Sequence, residues 1–323
     1  MPGLETLLAN LLSPPLLCFA LGFVAYLLRS DLRLPDALTQ TLSLYLLLAI
    51  GFKGGVAITA DSSGFFSVLA VTLLLGFSIP LWVFFIGRKI GSLKTPEAAS
   101  LGAHYGSTSA VTFLACLAFL DRNDIAYEGY MTAILAIMEI PALMVGILLV
   151  AINQRERLNR EGFLGAIHHV LTGKSIVLLM GGMAIGLVAD SEGVAAVEPF
   201  FVHPFLGVLC LFLLDLGRLT AEHIREVRKN LLFLIPFGII APIVHGILGV
   251  VMGGLAGLSP GGACILGIIC GSASYIAAPA AMRVACPHAN HALPLSISLG
   301  VTFPFNLAIG IPLLYSISVW LFA

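Results

Sequence analysis

The chain has 323 residues, 59% hydrophobic and only 10% charged, with a formal net charge of −1 and a mean hydropathy of +1.04. Soluble domains carry about 25% charged residues, so this composition excludes a soluble globular protein and points to an integral membrane protein whose partner is lipid. No basic cluster with interleaved aromatics suggests nucleic acid, and the six cysteines (Cys18, Cys116, Cys210, Cys264, Cys270, Cys286) lie scattered in apolar segments without metal-ligand spacing, so they are read as packing residues and no transition-metal site is expected.

The N-terminus lacks a basic region and a small-residue cleavage site, so the first apolar run is expected to be a retained span. Apolar runs near the ~20 residues that a bilayer requires predict ten spans. The first five are 14–29, 36–53, 64–87, 97–120 and 126–153. A polar stretch, 154–174, opens with Asn153-Gln154-Arg155-Glu156-Arg157 and is the only hydrophilic connector of any length. The second five are 175–190, 200–217, 230–257, 261–284 and 291–322. The expected organisation is a five-helix repeat over 1–153, a cytoplasmic connector over 154–174 and a second five-helix repeat over 175–323.

A duplicated motif supports the division. In the fourth span, Leu101-Gly102-Ala103-His104-Tyr105-Gly106-Ser107-Thr108-Ser109 puts small polar residues where a lipid-facing helix should have none. The same frame recurs in the ninth span as Leu266-Gly267-Ile268-Ile269-Cys270-Gly271-Ser272-Ala273-Ser274, at an offset of 165. Gly22-Phe23-Val24-Ala25 similarly matches Gly186-Leu187-Val188-Ala189, and Leu48-Ala49-Ile50-Gly51 matches Leu214-Asp215-Leu216-Gly217. A five-span repeat must reverse its orientation in the next copy, so the halves are expected to be inverted. Gly102/Gly106 and Gly267/Gly271 are also small-xxx-small pairs that let helices pack closely. Their Ser and Thr content favours a site, because polar groups at membrane depth are costly.

Charge placement agrees with this topology. With both termini outside, 14 of the 16 Lys and Arg residues fall on the cytoplasmic side, and only Lys53 and Arg122 fall outside. That is a positive-inside pattern. The outer carboxylates (Asp121, Asp124, Glu128, Asp190, Glu192, Glu198) read as ordinary solvated loops.

Interrupted spans expose backbone groups. Free N–H groups at a half-helix N-terminus suit a small oxyanion, together with the hydroxyls of Ser107, Thr108, Ser109, Ser272 and Ser274. Exposed carbonyls and hydroxyls suit a small hard cation such as sodium. His104, Tyr105 and Tyr275 are positioned to bond substrate oxygens or line the path. Two carboxylates fall inside spans: Glu139, beside Pro141, and Asp215, with Arg218 at i+3 as a structural partner. Both are candidate cation ligands, as are Ser109, Thr302 and Asn306, and Pro304 is expected to help break the tenth span. His245 reads as a hydrogen-bonded structural residue. There is no P-loop, HExxH, GxSxG or zinc framework, so no enzyme and no cofactor beyond a coupling ion are expected.

With those residues in view, the chain resembles the sodium-dependent bicarbonate transporter family first known from cyanobacteria. The resemblance rests on Gly102 to Ser109, Ile50-Gly51-Phe52-Lys53-Gly54-Gly55, Glu139-Ile140-Pro141-Ala142-Leu143, Ala241-Pro242-Ile243-Val244-His245-Gly246, Gly271 to Arg283 and Gly310-Ile311-Pro312-Leu313, and it covers nearly the whole length. It implies an all-helical five-plus-five inverted-repeat fold with a core moving against a gate domain, a homotrimer in the bacterial inner membrane, and import of bicarbonate by sodium symport. Carried over by position, it implies an anion site at Tyr105, Gly106, Ser107 and Thr108 and at Ser272, Ala273, Ser274 and Tyr275. Tyr105 stands where cyanobacterial members have Ser, and Tyr275 where they have Asp. The short connector weighs against the PII-like regulatory partner of those proteins. Two other readings remain open: a sodium/proton exchanger using Glu139 and Asp215, and a membrane anion sensor that does not transport.

Overall fold

The structure is a computed structural model and describes residues 11–58, 64–153, 165, 168, 172–223, 231–286, 289–290 and 292–322. Most of the expected connector, with Arg155, Arg157 and Arg160, lies outside the described residues, as do Arg225, Arg228 and Lys229. Among the described residues all regular structure is helical.

The first half contains α1 (Pro14–Leu27), α2 (Asp36–Ile58), α3 (Phe65–Lys89), α4 (Thr95–Gly106), α5 (Ala110–Arg122) and α6 (Met131–Asn153). The second contains α7 (Lys174–Val188), α8 (Ser191–Phe201), α9 (Phe205–His223), α10 (Leu231–Leu255), α11 (Pro260–Gly271), α12 (Ala277–Ala285) and α13 (Ala292–Phe322). Among the described residues seven stretches are long and apolar enough to cross a membrane, counting α4 with α5 and α8 with α9 as one stretch each; α1, α7 and α11 are shorter apolar helices. Several helix starts are legible chemically. Ser109, Asp190 and Ser259 each accept a bond from a first-turn N–H with their side chains. Proline, whose missing N–H costs nothing there, opens α1, α4 and α11.

Three features differ from expectation. The seventh run is preceded by a separate amphipathic helix, α8, which buries no residue of its own. Tyr45 of α2 anchors its end by donating to the Phe200 carbonyl at 2.5 Å. The tenth run is not broken at Thr302, Pro304 and Asn306. It continues through two π turns, Ser298–Thr302 and Asn306–Gly310, which absorb the bond that Pro304, lacking an N–H, cannot make. The outer carboxylates are also not all free loops. Asp121 accepts from the Tyr127 hydroxyl at 2.9 Å and lies 3.9 Å from Lys53. Glu128 accepts from the Ser259 N–H at 2.7 Å, at the start of α11.

Packing follows the small residues. α1 crosses α9, and α2 crosses α7, at near backbone contact. A Cβ on Gly22 would fall on the Leu214 carbonyl, and one on Gly217 would fall on that of Phe19. At the other crossing, Gly55 meets the Met183 carbonyl and Gly186 that of Phe52. α4 packs on α3 and α6, while α11 packs on α10 and the end of α13. On α4 and α11, Leu101, Ala103, Ile268 and Ile269 are fully buried.

Candidate functional site

The fourth and ninth runs are each interrupted at the duplicated motif. α4 stops at Gly106 and α11 at Gly271, and the chain turns extended at Ser107 (φ −82°, ψ 176°) and Ser272 (φ −91°, ψ 171°). New helices begin at Ala110 and Ala277. The two interruptions cross in space. The Ser274 N–H donates to the His104 carbonyl at 2.8 Å, and the Ser109 N–H donates to Ser272 Oγ at 2.9 Å. The Thr108 and Ser272 hydroxyls lie 3.2 Å apart, and Ser272 Oγ donates to the Ile269 carbonyl at 3.3 Å. Ser272 thus uses its one proton and both lone pairs. Ser109 and Ser274 play equivalent parts on the two sides: Ser109 Oγ accepts from the Thr112 N–H at 3.1 Å, and Ser274 Oγ from the Ala278 N–H at 3.2 Å.

Beside the crossing is a cavity of about 20 Å³, room for one water-sized group. Thr108, Ser109, Ser274 and Tyr275 line one side, with the first-turn residues Ala110 and Val111 of α5 and Ala277 of α12. Two half-helix N-termini, the positive ends of their dipoles, therefore border one space. Glu139 of α6 lines the same cavity and is its only carboxylate among the described residues; the residue is 6% exposed. The rest of the lining is largely apolar and includes Leu46 and Leu47 of α2, Leu179 of α7 and Phe212 of α9, together with the hydroxyl residue Ser43 of α2.

The remaining candidate residues divide by position. Ser107 is fully buried, and its hydroxyl has no hydrogen-bond partner among the described residues. Ala273 is buried inside the crossing. Gly106 and Gly102 seat α4 on Pro80 of α3, while Gly267 and Gly271 seat α11 on Val250 and Pro242 of α10. The close-packing reading of these glycines therefore holds alongside the interruptions. Tyr105 does not line the cavity. Its hydroxyl bonds Thr302, which donates in turn to the Gly238 carbonyl at 2.8 Å. Asn306 braces the end of α11 by donating to the Gly271 carbonyl at 2.9 Å. Asp215 stands apart from the cavity, bonded to Arg218 at 3.1 Å and to the Thr39 hydroxyl at 2.9 Å. His104 contributes its backbone carbonyl, while its ring bonds the Ser100 carbonyl at 2.7 Å. Tyr275 packs edge-on against Phe303, with ring centroids 5.4 Å apart.

Ser43 escaped the sequence reading. Its signal was present, one hydroxyl in the run Leu42-Ser43-Leu44, but nothing local distinguishes it from the Thr and Gln residues at the start of the same helix.

Among the described residues no group of three or more His, Cys, Asp and Glu side chains could hold a metal ion. No curated protein matches the chain. A family model described as the Na+-dependent bicarbonate transporter superfamily matches residues 14–319.

Proposed function

The chain belongs to the Na+-dependent bicarbonate transporter superfamily, and from that premise we propose that it imports bicarbonate, or a similarly small oxyanion, by sodium symport across the bacterial inner membrane. The observation that carries this reading is the crossing of the two interrupted helices. It sets two half-helix N-termini and the hydroxyls of Thr108, Ser109 and Ser274 around a single space that the buried Glu139 carboxylate also lines. The N-termini and the hydroxyls of Thr108, Ser109 and Ser274 attract the anion. The Glu139 carboxylate attracts the cation, so the two ions neutralise one another in a site that water leaves.

The reading includes two inverted five-helix repeats and ten spans. Reciprocal packing supports it: α1 against α9 is answered by α2 against α7, and each crossing is built on glycines of the matched segments. The small cavity supports alternating access as part of this reading. A space for one water-sized group does not admit a four-heavy-atom anion. In this reading the apolar lining of Leu46, Leu47, Leu179 and Phe212 moves relative to the crossing to load or release substrate. A homotrimer with both termini outside completes the proposal. The exchanger reading is weakened because Asp215 is engaged by Arg218 and Thr39, away from Glu139.

The test is labelled bicarbonate uptake into proteoliposomes under an inward sodium gradient, against a matched potassium control. Uptake with sodium alone is expected. Equal uptake in both refutes sodium coupling, and no uptake by folded, inserted protein refutes bicarbonate as substrate.

A further inference from the structure

The run Ile50-Gly51-Phe52-Lys53-Gly54-Gly55 of α2 contains one charge, and its glycines are explained by packing. A Cβ on Gly51 or Gly55 would fall on the Leu179 or Met183 carbonyl of α7, and one on Gly54 would fall 2.7 Å from the Thr132 side chain of α6. Lys53 reaches elsewhere. Its Nζ lies 3.9 Å from Asp121 Oδ2, near the end of α5, and 5.4 Å from the centroid of the Phe205 ring at the start of α9.

Both members of this ion pair are in register with the lining of the cavity. Leu46 of α2 and Leu114 of α5 line it. Lys53 follows Leu46 by seven residues, and Asp121 follows Leu114 by seven. Seven residues make two turns, so each charge shares a helix face with its leucine and lies about 10 Å farther along the helix. One turn on from the leucines are Ile50 and Leu117, 2% and 6% exposed. The pair therefore bridges α2 and α5 above the cavity, with a buried apolar layer between.

The bridge is loose. Charge-assisted N–H···O bonds run about 2.7–2.9 Å, and 3.9 Å lies outside that range. The Lys53 and Asp121 side chains are 33% and 49% exposed, and so open a pair adds little stability. Asp121 has a tighter partner in the Tyr127 hydroxyl at 2.9 Å. Lys53 is thus an accessible cation, and Phe205 steadies it whether or not Asp121 is near. On the expected outer side, an approaching anion meets mostly carboxylates, with only Lys53 and Arg122 to attract it.

We propose that Lys53 is the entry residue for the transported anion. A small oxyanion displaces Asp121 from Lys53 as α2 and α5 part, and Asp121 takes Lys53 back when they close over the loaded cavity. The proposal rests on the transport reading and adds to it a contact made before the crossing is reached.

The full chain in lipid nanodiscs, with both faces open, is treated with a water-soluble N-hydroxysuccinimide ester, and modification of each lysine is followed by peptide mass spectrometry. Sodium bicarbonate is compared with sodium gluconate at equal pH and ionic strength. Bicarbonate is expected to protect Lys53 saturably and to leave the exposed Lys94 unchanged. No protection of Lys53, or equal protection of both, overturns the proposal. In proteoliposomes Lys53→Gln should raise the bicarbonate KM. Asp121→Asn, which removes the competitor, should lower it by up to about fivefold, the worth of an exposed ion pair. Neither should change kcat or the melting temperature. A pair that serves only the fold would move KM the same way in both variants, and that result overturns the proposal too. Protection of Lys53 in a chain that takes up no bicarbonate keeps the anion contact and refutes the transport reading; uptake without protection refutes the contact alone.

Discussion

Ser272→Ala and Ser107→Ala separate a hydroxyl that builds the crossing from one that the fold leaves unbonded among the described residues. In the parent, Ser272 Oγ accepts the Ser109 N–H at 2.9 Å and touches the Thr108 hydroxyl at 3.2 Å. Alanine leaves the Ser109 N–H without that acceptor, in a residue only 4% exposed. A buried donor left unsatisfied costs about 1–3 kcal/mol. As a coupling energy, that is about 5- to 150-fold in an equilibrium. Ser107 differs: its hydroxyl is fully buried with no partner among the described residues, so alanine there removes no hydrogen bond of the fold. The assay is the initial rate of labelled bicarbonate uptake under a sodium gradient, normalised to inserted protein, alongside thermal melting of the purified chain. Ser272→Ala should lower both uptake and melting temperature. Ser107→Ala should leave melting unchanged or higher and still lower uptake. Parental uptake in both variants would refute the placement of the site. Loss of stability in Ser107→Ala with parental uptake would show that its hydroxyl serves the fold.

Glu139→Gln keeps the shape of the carboxylate that lines the cavity and removes its charge. Residual uptake is expected to lose its dependence on sodium, and a variant whose rate still rises with sodium as in the parent assigns the cation elsewhere. Gly217→Ala puts a Cβ on the Phe19 carbonyl, a backbone atom that cannot rotate away. Overpacking of this kind costs about 1–3 kcal/mol, visible as a lower melting temperature, and an unchanged melt means the α1–α9 crossing is looser than described. Asp215→Asn removes the charge from the 3.1 Å ion pair with Arg218, whose side chain is 14% exposed. The expected result is reduced thermal stability with the sodium dependence of residual uptake retained; lost sodium dependence with intact stability would restore Asp215 as a cation ligand.

Much of the helix plan was legible because a bilayer imposes a length and an apolar composition on each segment. The runs from 64, 126 and 230 became single helices within a few residues of their expected bounds. The interruptions at Ser107 and Ser272 were legible too, since Gly followed by small hydroxyl residues at membrane depth has few other uses. The tenth run misled because a proline with flanking Thr and Asn resembles an interruption. A widened helical turn satisfies the same backbone at lower cost when neighbouring helices bury it, and that depends on neighbours. Glu139 and Asp215 looked alike along the chain, each a carboxylate in an apolar run, although Arg218 was already visible beside Asp215.

By itself the sequence determined that this chain is helical and membrane-embedded, where two of its helices stop and restart, and which family it resembles. Those properties follow from local rules: hydrocarbon thickness, backbone hydrogen-bond supply and the spacing of small residues. Only the tertiary structure decided that Ser109 meets Ser272 and that Ser274 meets His104. It likewise placed Glu139 beside them, drew in Ser43 from another helix, and engaged Tyr105, Thr302 and Asn306 in bracing rather than in the cavity. The pairings of Ser109 with Ser272, Ser274 with His104 and Tyr105 with Thr302 join residues some 160 to 200 positions apart, and they arise from how closely glycine-lined helices approach, which no local pattern encodes.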